Sequence, residues 1–260
     1  MSSWQDAIHR ARAHSPFLAL ALDRQPALEQ LLAAGKGEQA LPLLQALGSA
    51  SGRHGARASA LLAQELLQRG DDVAALAAAR RAVEGAGESV AARLTLGALL
   101  ERGGQAEQAL HHYRRAAHAR PMLAAPPQAL ARALLRQGRA QEGWLAWVQA
   151  EQVAAGYRPH PAGPAWDGRA LSDDRLLIRA TGTPDDIRAM LPFVEELRGR
   201  EPAARLSLLV PAALAAAAQA SGRFEQVHAD AVAPDSFHWQ TTLGHLALLL
   251  RIEGPWPAPG

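Results

Sequence analysis

Two adjacent carboxylates, Asp185 and Asp186, sit in the stretch TGTPDDIRAMLP, and three histidines, His228, His238 and His245, follow towards the C-terminus. A carboxylate paired with an imidazole can move protons to or from a reacting hydroxyl. Asp186 with one of the three histidines is therefore the set to consider for acid–base work. The plainer explanation of the aspartates is negative charge at a helix N-terminus, and of the histidines structural or surface positions. His111 and His112 invite a metal reading, but adjacent residues point about 100° apart on a helix. They read as solvated histidines. Trp239 and Trp256 offer flat faces for a sugar ring or for a partner, with packing as the competing role. No Walker loop, His-Glu-x-x-His, Gly-x-Ser-x-Gly or Gly-x-Gly-x-x-Gly occurs. Cysteine is absent, so disulfides and thiolate metal sites are excluded. No metal and no cofactor are expected.

The elements that must position these residues are mostly helices. Apolar residues make up 48% of the chain and aromatics only 5%. That alanine-dominated balance favours close-packed helices over a β-sandwich. The formal net charge is +2 and Lys36 is the only lysine, with no basic run. A charge this small gives little pull on nucleic acid, so nucleic-acid binding is a distant third function class. The N-terminal apolar stretch FLALAL is too short for a signal peptide, and no run approaches a membrane span. A cytoplasmic protein is expected.

One register repeats across residues 56–89, 90–123 and 124–157. Leu96-Gly97, Leu100, Gly104, Ala109, Tyr113 and Ala116 match Leu62-Ala63, Leu66, Gly70, Ala75, Ala79 and Ala82 upstream, and Leu130-Ala131, Leu134, Gly138, Gly143, Trp147 and Ala150 downstream. Leucine plus a small residue, then leucine four on, makes one face of a first helix. Each glycine ends it, where a positive φ is cheap for glycine. Small residues at Ala75, Ala109 and Gly143 admit the second helix, and Tyr113 and Trp147 are packing positions. This pattern resembles the tetratricopeptide repeat over residues 21–157. Leu31–Leu47 reads as a degenerate earlier repeat within 21–50, and WQDAIHRARAH as a capping helix. The family's bulky residue early in the first helix is replaced by Ser59, Arg93 and Pro127. The resemblance implies a protein partner held in a groove lined by first helices. In this register the groove shows Arg57, Ala60, Gln64, Leu94, Ala98, Glu101, Gln128, Arg132 and Leu135.

Composition shifts at a Pro/Gly-rich linker, 158–172, holding Pro159, Pro161 and Pro164. Beyond it, apolar runs at 175–180 and 204–211 alternate with helical stretches, and FEQVHAD (224–230) reads as a third strand. Thr183, Pro184 and the two aspartates make a helix start. Trp166, Gly168, Leu171, the strand at 175–180, Asp186 and Leu191-Pro192 resemble the acceptor-side half of GT-B glycosyltransferases, the class of O-linked N-acetylglucosamine transferases and heptosyltransferases, found after such repeats in many bacterial proteins. The resemblance implies a Rossmann-like, three-layer α/β half domain over 173–260. The family's glycine-rich loop is TGTPDD here, and residues 173–260 leave no room for the nucleotide-sugar domain.

The expected fold is thus an α-solenoid over 1–157 followed by an α/β half domain. The expected function is a non-catalytic adaptor binding a protein, or a second copy of the chain, through the repeats and the C-terminal part. The alternative is a glycosyltransferase subunit completed by a separate nucleotide-sugar-binding chain. The leucines of 246–250, with Ile252 and Trp256, are expected to form or border a protein contact, or to fold back as the last core element.

Overall fold

A computed structural model describes residues 37–49, 52–85, 89–156, 160–229, 231–233 and 235–253. The capping helix, most of the degenerate repeat and Trp256 lie outside these residues. The chain forms two compact units, one ending at Arg120 and the other beginning at Pro121.

The first unit is helical: α1 (Gly37–Gly48), α2 (Gly52–Gln68), α3 (Asp72–Gly85), α4 (Val90–Arg102) and α5 (Ala106–Ala119). Helices α2 and α3 form one hairpin and α4 and α5 the next, with α2 also touching α4. The turns repeat atom for atom. Gly70 N–H donates to Leu67 O (3.1 Å) and Asp71 N–H to Leu66 O (3.0 Å); Gly104 and Gln105 do the same to Glu101 (3.0 Å) and Leu100 (2.8 Å). The glycines take φ of +78° and +73°, the left-handed conformation that closes a helix C-terminus. Packing follows the small-and-large pattern of the sequence. Ala75, Ala79, Ala82, Ala109 and Ala116 are fully buried. A Cβ on Gly97 would stand 2.5 Å from the ring of Tyr113, so this glycine makes room for the buried tyrosine of its own hairpin.

The departures from the repeat pattern have packing reasons. Ser59 is 1% exposed and its hydroxyl donates to Gly48 O at 3.1 Å. A Cβ on Gly48 would meet that Oγ at 2.9 Å, so two small residues bring α1 against α2 where the family places bulk. Helix α5 ends at Ala119, where Arg120 turns to φ −142° ahead of Pro121, the extended backbone a following proline imposes.

The second unit opens with a third hairpin, α6 (Ala125–Arg136) and α7 (Ala140–Ala154). Its turn copies the other two: Gly138 has φ +74° and donates to Leu135 O (3.0 Å), and Arg139 donates to Leu134 O (2.9 Å). The rest alternates strand and helix: β1 (Arg175–Arg179), α8 (Pro184–Met190), α9 (Pro192–Arg200), β2 (Arg205–Val210), α10 (Ala212–Ala220), β3 (Gln226–Ala229), β4 (Trp239–Thr242) and α11 (Leu243–Leu249). The four strands form a parallel sheet in the order β3-β2-β1-β4. Leu176, Leu177 and Ile178 are fully buried, as befits a strand covered on both faces. The helical stretch between β1 and β2 is divided at Pro192 into α8 and α9.

Among the described residues no helix connects β3 to β4. Leu177 packs instead with Ala162 and Phe237 and with the part-buried Leu209 and Val232, so connecting segments cover that face. Of the two fates named for the C-terminal leucines, the structure shows the second, a last core element: Leu243, Leu246 and Ala247 are fully buried and Leu250 is 4% exposed. Helix α11 packs on α7, α8 and α9, and the residues after it are held by Trp144 Nε1–H donating to Ile252 O (3.0 Å) and Arg200 to Leu250 O (3.0 Å). Helix α7 of the third hairpin packs on α11 within the second unit.

Candidate functional site

Asp186 is enclosed, 4% exposed, and fully engaged. Thr183 caps α8, and Asp186 reaches back to the Thr183 N–H (2.8 Å), a capping box with aspartate at its third position. From α6, Arg132 forks onto both Asp186 oxygens, Nε to Oδ1 at 2.9 Å and Nη2 to Oδ2 at 2.5 Å. Burial pushes the Asp186 carboxyl up, but the bonds from Arg132 and Thr183 outweigh it and hold the group below its ordinary value. Both carboxylate oxygens accept hydrogen bonds within the fold, so Asp186 clasps α6 to the start of α8. Gly182 is a glycine for steric reasons: its φ is +104°, and a Cβ there would meet Asp186 Oδ2 at 3.0 Å and the Trp147 ring at 3.1 Å.

The three candidate histidines are not gathered. His238 is exposed beside Asp174 (Nδ1 to Oδ1, 3.0 Å). His228 lies on β3 with its ring edge-on to Phe237, 5.9 Å between centroids. His245 lies on α11, where burial lowers its pKa. None is bonded to Asp186. Among the described residues no group of three His, Cys, Asp or Glu is arranged for a metal ion. His111 and His112 meet edge to face, and burial, then the charges of His111 and Arg93, lower the His112 pKa. Trp239 is half-buried and stacked by Arg169, whose guanidinium carbon is 4.5 Å from the ring centroid.

The groove residues divide as well. On α2 and α4, which touch side by side, Arg57 is exposed and Gln64, Leu94, Ala98 and Glu101 are part-exposed. Glu101 Oε2 accepts from the Tyr113 hydroxyl at 3.2 Å. Gln128 is part-exposed on α6. Ala60 and Leu135 are core, 4% and 1% exposed, and Arg132 is turned to Asp186 and the Trp147 ring (5.6 Å). These three are not groove positions.

What the spacing did not reveal is a crevice where β1 and β4 end. The strands pair with Arg179 opposite Thr242. Because β2 lies on one side of β1 and β4 on the other, the strand order reverses here, the place where parallel sheets leave an open crevice. The crevice has a volume of about 590 Å³ and is lined by Glu151, His160, Arg179, Thr181, Gln240 and His245, among others. Glu151, from α7, accepts the hydroxyls of Thr181 and Thr242 and the indole N–H of Trp147 (3.1 Å). Burial pushes its carboxyl above the ordinary value against those bonds and the charge of Arg179. The one legible signal was an arginine closing the apolar run RLLIR.

No family model matches the chain, and no curated protein matches it. Among solved structures, one described as "Crystal structure of MamA" aligns at 17% identity with a TM-score of 0.47, covering 59% of this chain and 90% of that one. "MamA 41-end from Desulfovibrio magneticus RS-1" aligns at 18% identity and 0.45, covering 60% and 96%. "MamA AMB-1 P212121" aligns at 19% and 0.42, covering 60% and 99%. The repeat assignment rests on the three in-register hairpins themselves.

Proposed function

We propose that this chain is a non-catalytic adaptor that binds a protein partner through its helical repeats. The observation that carries this is the surface of α2 and α4. Two first helices lie side by side and present Arg57, Gln64, Leu94 and Glu101, a mixed polar and apolar lining on a rigid alanine-packed frame. Stacked helical hairpins characteristically use such surfaces to hold other proteins. Asp186 is consumed by the fold and the histidines are dispersed, which favours an adaptor over an enzyme. Among the described residues no helix is long and apolar enough to cross a membrane.

The alternative is a glycosyltransferase subunit completed by a separate nucleotide-sugar-binding chain. What favours it is the parallel strand order and the structural use of the motif residues. Gly168 has φ +89°, Trp166 is 2% exposed and donates to Arg169 O (2.9 Å), and Pro192 breaks the crossover helix.

Paired substitutions Gln64→Arg and Leu94→Glu in the full chain test the adaptor. Both sites are part-exposed, so thermal unfolding should be unchanged while retention of the partner from a host lysate falls about tenfold or more. Undiminished retention, or turnover of a nucleotide sugar by the purified chain alone, would overturn it.

A further inference from the structure

We propose that the crevice at the ends of β1 and β4 binds a small organic anion, with a carboxylate or phosphate group seated on the Nη atoms of Arg179. Arg179 is the last residue of β1 and is part-buried at the crevice wall. Its Nε donates to Gln240 Oε1 at 3.0 Å, which fixes the plane of the guanidinium. Among the described residues its Nη atoms have no hydrogen-bond partner. Burial works against the guanidinium charge, and the opposing charge is that of Glu151.

Glu151 does not complete the pair. Its two oxygens are taken by the hydroxyls of Thr181 and Thr242 and by the Trp147 indole, so it faces Arg179 as a charge and not as a forked acceptor. A part-buried guanidinium with a fixed plane and its Nη edge open is short of a planar or tetrahedral oxyanion.

The remaining walls suit the rest of such a molecule. Val148, Ala154, Ala155 and Ala165 provide apolar surface. His160 accepts the Ala162 N–H at Nδ1 (3.3 Å), which puts the ring proton on Nε2 and leaves a donor there. Burial and then the charge of Arg179 lower the pKa of His160, and burial lowers that of His245. A volume of about 590 Å³ is that of a small-molecule site. The location, where the strand order reverses, is where open parallel sheets bind ligands. This proposal is independent of the partner surface on α2 and α4.

The test is calorimetric titration of the full chain with inorganic phosphate and, separately, with glutarate. Saturable binding of at least one is expected. Arg179→Gln should weaken it about tenfold or more, the loss of a charge-assisted fork. Arg179→Lys, which keeps the charge and removes the fork, should fall between the two and serves if the glutamine variant does not fold. Arg205→Gln, in the exposed Glu225 pair at the start of β2, should bind as the unaltered chain does. Phosphate binding alone assigns a phosphorylated ligand, and glutarate alone a carboxylic acid. The proposal is overturned if neither anion binds at millimolar concentration, or if the Arg179 variants bind as tightly as the unaltered chain.

Discussion

Asp186→Ala is expected to destabilise the second unit by about 3 kcal/mol, with Asp185→Ala next to it costing less than about 0.5 kcal/mol. The two aspartates are indistinguishable by type and differ wholly in surroundings. The Asp185 side chain is 91% exposed in an (i, i+3) pair with Arg188. The Asp186 side chain is 5% exposed, and Arg132 opposite it 24%. Removing Asp186 strands the Arg132 charge beside Trp147, leaves the Thr183 N–H unanswered and removes half of the α8 capping box. The partial exposure of Arg132 keeps the expected cost at the lower end for a broken buried pair. The pH dependence has a fixed sign. The folded-state pKa of Asp186 is depressed, so its stabilisation is present above the unfolded value of about 3.9 and is lost as pH falls through the folded one. Urea unfolding at neutral pH and below about pH 4 checks both parts. The difference between the unaltered chain and Asp186→Ala should shrink in acid. Equal effects of the two alanine substitutions would contradict the clasp.

Gly244→Ala is expected to cost about 3 kcal/mol although it adds one methyl group to a helix. That carbon would stand 2.2 Å from Trp147 Cδ1, 2.9 Å from its Nε1 and 3.1 Å from Glu151 Oε1. Trp147 is 1% exposed and hemmed in: Arg132 lies over its ring and Gly182 is close against its Cζ2. The substitution forces α11 away from α7 or breaks the indole bond to Glu151. In the open middle of a helix the same change is favourable by about 1 kcal/mol. A thermal midpoint unchanged or raised by Gly244→Ala would show that α7 and α11 do not approach as described.

The repeats were legible because their information is local. A leucine face, a glycine at positive φ and an alanine at the helix contact recur within one hairpin, and Gly70, Gly104 and Gly138 sit in three equivalent turns. Strands β1 and β2 were legible as continuous apolar runs. Strand β4 was not: Trp-Gln-Thr-Thr carries no apolar run, and Thr241 and Thr242 are buried only because β1 and α11 close over them. The crevice was hidden for the same reason. In the repeat register Glu151 is an ordinary outer-helix residue. It becomes part of a site only when Thr181 and Thr242, far along the chain, meet it. Arg132 shows the reverse, a groove position by register that tertiary contact with Asp186 removes. The C-terminal leucines were apolar enough for either fate named for them, and the choice was made by helices α7, α8 and α9.

The proposal that the repeats hold a protein is tested most directly by photo-crosslinking from single positions of the intact chain in its host. A photoreactive residue at Gln64 or Leu94, on the paired first helices, is set against one at Arg80, exposed on the outer helix α3. A discrete protein adduct from Gln64 and Leu94, absent from Arg80, is the expected result. Adducts of equal yield from Arg80, or none from Gln64 and Leu94, would contradict it.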